Sequence, residues 1–201
     1  MVFSRCTVTN YTGFTSVSKP VQASPKPTFD SAISSSWLFK SEIDYGEHRF
    51  TGLLMVKEME VDLFRAVFTT ELGLKIFDLE ITPERMVVKD CYEPLNRQRL
   101  INLVEQDLRL LFMIGIKKGK FHIFERAAAN QTLYRTNIGG NKYYYLEENV
   151  TGNIIEMVKR HKGRKPQIWA RLNNHLEDVP SDVHISHGKI KMELYFHYIE
   201  R

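Results

Sequence analysis

The sequence predicts an α+β domain in which a curved, mainly antiparallel sheet of about ten strands wraps one long amphipathic helix. Three observations carry that expectation. Apolar and polar residues alternate with period two near both ends of the chain: Trp37, Phe39, Ile43 and Tyr45 in the first case, Ile190, Met192, Leu194, Phe196 and Tyr198 in the second. Short turn signals separate successive runs of strand-forming residues. One stretch alone, with Leu100, Leu103, Val104, Leu108, Leu111 and Phe112, has helical spacing.

The elements follow in order. A first strand over 35–45 turns at Tyr45-Gly46-Glu47-His48 into a second over 49–57, and a charged break at 58–60 leads to a third over 61–70. Gly73 opens a fourth over 74–82, and Pro83-Glu84 turns into a fifth over 85–92. Strands two to four carry apolar groups on both faces, so something must cover the second face. The helix, expected over 95–113 with Pro94 in its first turn and Gly115 at its end, can do so. Strands resume at 120–126, 132–137, 142–147, 167–173, 182–186 and 188–200, while 154–159 reads as either strand or short helix.

Residues 1–34 differ in texture. Ser, Thr, Pro, Lys and Asn dominate them, with Pro20, Pro25 and Pro27 interspersed, and such composition cannot bury enough apolar area to offset its ordering entropy. They read as a flexible tether, with the folded domain over 35–201. Cys6 is the candidate lipid anchor, because lipid-anchored bacterial chains start at a cysteine followed by a polar leash. Arg5 stands where such a signal wants a small residue, so either translation starts upstream or Cys6 is an unmodified tail thiol. No disulfide is expected between Cys6 and Cys91.

Composition excludes several function classes. With 43% hydrophobic and 26% charged residues the chain is an ordinary globular one, and no apolar stretch approaches the roughly 20 residues of a membrane-spanning helix. There is no Gly-x-Ser-x-Gly, no Gly-rich phosphate loop with Lys, no Cys-x-x-Cys and no His-Glu-x-x-His, so neither an enzyme nor a metal or other cofactor is expected. His184 and His187 would point to opposite faces of a strand, and the histidines read as surface or turn residues. The net charge of +4 is spread along the chain, its densest cluster at 159–165 reading as a solvated loop. Lys142-Tyr143-Tyr144-Tyr145 lacks any ribonucleoprotein-type motif, so no nucleic-acid partner is expected.

Several segments resemble the bacterial lipoprotein-localisation carriers and receptors LolA and LolB and the lipoproteins similar to them, the LolB-like branch above all. Phe50-Thr51-Gly52-Leu53-Leu54-Met55-Val56-Lys57 looks like the family's opening strand, Phe64 to Gly73 like its next strand and Leu-Gly turn, Asp107-Leu108-Arg109-Leu110-Leu111-Phe112 like the end of its helix, and Lys189 to Leu194 like its closing strand. The resemblance spans 35–200.

It implies an unclosed half β-barrel whose concave apolar face is lidded by the helix and takes acyl chains. Phe64, Phe68, Leu79, Val104, Leu108, Met192 and Phe196 would line that cavity, Arg65 would hold the lid, and Leu72 would be the exposed apolar loop residue. The implied partners are lipid or lipoprotein acyl chains and a membrane surface reached through Cys6, with a monomer facing the periplasm from the outer membrane of a bacterial envelope. The same lining residues would serve equally as a filled core of a non-catalytic interaction module. An enclosed apolar void of roughly several hundred Å³ between helix and sheet would favour the ligand reading, and a packed interior would sink it.

Overall fold

Thirteen strands pair antiparallel into one open sheet in a computed structural model that describes residues 11–17, 24–29, 36–93, 98–161, 166–176 and 179–200. In chain order these are β1 (Thr15–Val17), β2 (Ser36–Tyr45), β3 (His48–Glu60), β4 (Leu63–Thr70), β5 (Lys75–Ile81), β6 (Met86–Cys91), then helix α1 (Gln98–Leu111). After it come β7 (His122–Arg126), β8 (Gln131–Ile138), β9 (Asn141–Glu148), β10 (Asn153–His161), β11 (Pro166–Leu176), β12 (Val179–His187) and β13 (Met192–Tyr198). The architecture is the expected open antiparallel sheet with one helix, but with thirteen strands rather than about ten, and the helix ends at Leu111 rather than at 113. The ambiguous 154–159 belongs to β10, and the charged break at 58–60 is the bulged end of β3, where pairing to β4 shifts register. Cys6, Pro94 and Leu95 lie outside the described residues.

Two meanders make the sheet. Strands β2 to β6 form one, β7 to β13 the other, and they join where β13 pairs with β2 through Leu194↔Ile43 and Phe196↔Ser41. β6 is one edge of the sheet, and β7 lies beside the other edge, β1. The connection between them therefore crosses the whole sheet, and α1 is that crossing. Register shifts in β4–β5, β5–β6, β9–β10 and β10–β11 mark bulges, which bend strands and increase twist.

The helix buries Leu100, Ile101, Val104, Asp107, Leu108 and Leu111, a stripe at i, i+1, i+4, i+7, i+8 and i+11 that faces the sheet. The opposing sheet side chains are Phe39, Ile43, Leu54, Phe68, Phe77, Ile185 and their neighbours, all in one apolar core. At its C-terminal end the helix is fastened by Arg109, whose Nη1 donates to the carbonyl of Pro83 at 3.3 Å. Gly52 sets how closely β3 and β4 approach: a Cβ there would lie 1.9 Å from the carbonyl oxygen of Thr69, so no side chain fits.

Within the segment expected as a tether, the described residues 11–17 and 24–29 lie against the domain. Phe29 is 5% exposed and stacks on Phe112 with ring centroids 4.6 Å apart, inside a cluster with Trp37 and Phe39. Further upstream, β1 adds to the edge at β7, and Tyr11 stacks on Tyr144 of β9 while its hydroxyl donates to Glu156 at 2.9 Å. Pro and Ser dilute this part of the sequence, but Tyr11, Phe14 and Phe29 supply enough aromatic area to dock it.

Candidate functional site

The space between α1 and the sheet is the interior of interest, and aliphatic and aromatic side chains fill most of it. Two small apolar cavities remain beneath the helix. One, of about 20 Å³, lies toward the start of α1 between Tyr45, Phe50, Cys91 and Leu100; the other, of about 10 Å³, lies toward Asp107, Leu108 and Phe196. Ile43, Phe68, Phe77 and Val104 wall both. Each has room for about one water at most, and the walls are apolar except where Asp107 borders the second. Neither cavity is of the size that would hold an acyl chain. Larger clefts, such as one of about 360 Å³ beside Arg49 and Lys191, are open and charged.

One polar cluster interrupts this apolar interior. His187, at the end of β12, and Asp107, on the core stripe of α1, meet at 3.0 Å between Nε2 and Oδ1, with side chains 2% and 1% exposed. The other ring nitrogen, Nδ1, faces the carbonyl of Met192 at 3.0 Å and must donate to it. The ring thus has an acceptor on both sides. Beside this pair, Lys159 of β10 is 7% exposed, and its Nζ donates to Oε1 of Gln106 at 2.6 Å. Asp107 Oδ2 is buried with no hydrogen-bond partner.

Burial dominates the electrostatics. It pushes the Asp107 carboxyl above the usual carboxylate range, against the opposing pull of the His187 bond and charge and of Lys159. For His187 burial disfavours the imidazolium, but the bond to Asp107, its charge and the Met192 carbonyl outweigh it, and the imidazole is raised. Both directions describe one proton held between the two groups. Burial lowers Lys159, with the charges of Asp107 and Glu105 opposing.

Among solved structures, the chain resembles a LolA superfamily protein from Nitrosomonas europaea with a TM-score of 0.54, over 82% of this chain and 83% of that one, at 9% sequence identity. The fold is LolA-like. A domain described as an outer membrane lipoprotein-sorting protein from Vibrio parahaemolyticus gives 0.49 over 83% and 84%, at 9% identity. A DUF1329 family protein from Desulfovibrio piger gives 0.48 over 83% and 85%, at 6% identity. No family model matches the sequence, and no curated protein does.

Within this LolA-like sheet the residues expected to line a cavity all fall in the core. Phe68, Val104, Leu108 and Phe196 wall the cavities beneath the helix. Phe64 packs instead on Phe112 at 5.9 Å between ring centroids, and Leu79 and Met192 are buried away from both cavities. Arg65 requires a correction. Strand β4 points Phe64, Ala66 and Phe68 inward, so Arg65 projects from the opposite face, where Nε and Nη2 donate to both oxygens of Asp78 at 2.9 and 2.8 Å. It braces β4 to β5 and does not hold the helix. Leu72 is 98% exposed at the β4–β5 turn, with Leu74 51% exposed beside it.

Sequence reasoning missed the polar cluster. Local pattern alone groups His187 with surface histidines and Lys159 with a solvated basic run, yet both side chains are buried beneath α1. One signal was available: Asp107 occupies a position three after Val104 and one before Leu108, squarely on the apolar stripe of the helix. Among the described residues no three His, Cys, Asp or Glu side chains converge to hold a metal, and no helix is long and apolar enough to cross a membrane.

Proposed function

We propose that this chain is a non-catalytic binding protein of a bacterial envelope that takes an acyl chain or similar apolar ligand between α1 and the inner face of the sheet. The observation that carries the reading is the continuous apolar surface between α1 and the open sheet, with Ile43, Phe68, Phe77 and Val104 at its centre. Among the described residues the interior is packed and holds no enclosed void of ligand size, which counts against the reading. Because the two cavities beneath α1 are far smaller than a lipid chain, binding requires the helix to move off the sheet and expose this apolar surface. Such burial needs only dry area, at about 25 cal/mol for each Å² removed from water. The LolA-like fold supports the reading, as does the exposed Leu72, which suits contact with a membrane surface. Transport or sorting of lipoproteins, anchoring through Cys6, a periplasm-facing location at the outer membrane and a monomeric state belong to the same proposal.

A second reading has its own observation. The tightly filled interior favours a structural or protein-interaction module that keeps the scaffold without the cavity. Native mass spectrometry of the protein purified from cells, followed by titration with a fluorescent fatty acid, separates the two. Co-purified lipid, or saturable binding that Phe68→Asp abolishes while circular dichroism is unchanged, supports ligand binding. A protein that stays empty and ignores the probe favours the module.

A further inference from the structure

The inner face of the sheet is apolar along most of its length but carries one polar row. Pairing places Lys159 opposite Ile168 and Ile168 opposite His187, so the two basic residues stand in register on β10 and β12 with one strand between them. Neighbouring strands lie roughly 4.8 Å apart, which sets their backbones about 10 Å from each other. The row continues through Tyr143 and Thr136 on β9 and β8. The adjacent inward-facing row is Tyr145, Met157, Ala170, Ile185, Leu194 and Ile43, mostly hydrocarbon. The floor beneath α1 is therefore itself amphipathic, with hydrocarbon running up to a line that holds an ammonium and an imidazole.

The acceptors these two groups meet from across the interior come from the helix. Lys159 donates to Gln106 and His187 meets Asp107, adjacent residues on α1. Placing a carboxylate, an ammonium and an imidazole under a helix is a costly way to seal a core, since apolar side chains of similar volume there are often neutral or stabilising. The arrangement makes sense if the sheet-borne cations serve a ligand's charge and the helix stands in for it. Asp107 is an acid on the lid side, and one of its oxygens is still without a partner.

We propose that Lys159 and His187 form a headgroup subsite for an amphiphile with an anionic head, a carboxylate or a phosphate monoester, and that Asp107 with Gln106 occupies this subsite in the ligand's absence. This rests on the interior-binding reading above and adds the class of ligand to it. When the helix leaves, Lys159 and His187 lose their acceptors together, and an anionic head supplies replacements while its chain lies over Met157, Ala170 and Ile185. Helix displacement and head recognition are then a single exchange. An uncharged amphiphile such as an alcohol would offer these two donors a single neutral hydroxyl oxygen and no countercharge, which is the costlier outcome.

The test uses the full chain and three ligands of equal chain length, decanoic acid, decyl phosphate and decanol, each competed against a fluorescent fatty-acid probe. Wild type is expected to prefer the acid and the phosphate to the alcohol by about tenfold or more, the scale of a charge-assisted hydrogen bond. That ratio should fall toward one in Lys159→Met and in His187→Gln and persist in Lys159→Arg, which keeps the charge. Asp107→Asn, by weakening the internal competitor, should raise the ratio several-fold. The acid and phosphate arms identify the head. Equal binding of all three ligands by wild type, or a preference that survives Lys159→Met and His187→Gln, overturns the subsite while leaving interior binding in place. If none of the three displaces the probe because the probe itself never binds, the interior reading falls and the subsite with it.

Discussion

His187 and Asp107 come from elements 80 positions apart in sequence and meet at 3.0 Å in the middle of an otherwise apolar interior. Both groups are raised from their ordinary values, so the folded pair keeps its shared proton at a pH where the unfolded chain has released it. A raised histidine stabilises the fold below its unfolded pKa and loses that contribution as pH rises through its folded one. A raised aspartate costs stability once pH exceeds the ordinary carboxylate range. The two effects have the same sign, and stability due to the pair falls as pH increases. Urea denaturation at pH 5.5 and 8.5 checks this: wild type should lose stability at the higher pH relative to an Asp107→Asn/His187→Gln double variant. Parallel behaviour of the two proteins would show that the pair does not set this dependence.

Arg65 and Asp78 titrate in the opposite sense. The Arg65 hydrogen bond, working against burial, holds the Asp78 carboxyl below its usual range, with Lys75 assisting from 3.6 Å. That stabilisation is present above the unfolded carboxylate pKa and disappears as pH falls through the folded one. Arg65→Met should therefore destabilise the protein clearly at pH 7 and much less near pH 3, as read from denaturant midpoints. Equal losses at both pH values would mean that packing, not charge, is what Arg65 contributes.

Phe29 provides a measure of where the domain begins. A buried phenylalanine replaced by alanine typically costs about 3 to 5 kcal/mol, and Phe29 touches Trp37, Phe39 and Phe112 at once. Phe29→Ala is expected to fall at the lower end, about 3 kcal/mol, because its own segment is short. A chain starting at Ser36 should lose at least as much. Thermal unfolding of the two proteins would contradict the docking of this segment if neither melted earlier than wild type.

Gly52→Ala tests the spacing of the sheet. With a Cβ forced to within 1.9 Å of the Thr69 carbonyl oxygen, β3 and β4 must part locally. Overpacking of this kind costs about 1 to 3 kcal/mol, and here the obstacle is backbone that cannot rotate away. Hydrogen exchange should show faster exchange along β3 and β4 and little change in β10 to β12. An unaltered exchange pattern would mean that the strands already have slack at this point.

Legibility from sequence followed the range of the interactions. Strands β2 and β13 and the stripe on α1 were readable because alternation and helical period are local properties, expressed within ten or so neighbouring residues. β1 was not, because three residues at an edge carry no periodicity. Phe29 was hidden by the Pro and Ser around it, although one aromatic suffices to pin a segment. The face of Arg65 was not fixed by its neighbourhood alone, since apolar residues flank it on both parities. Least visible was the Lys159–Ile168–His187 row, which depends on the register of three strands and has no signature in any one of them.

The pairing of β13 with β2 has a temporal side. Met192 lies opposite Tyr45 and Tyr198 opposite Phe39, so the seam joining the two meanders is made by the last strand and one of the first. A chain emerging from the ribosome cannot complete this sheet until its final strand is out, and contacts so distant in sequence form slowly because loop closure precedes their reward. Until then β12 and β2 are unpaired edges, one on each meander. A stop codon before Met192 would leave two half-sheets with nothing to join them.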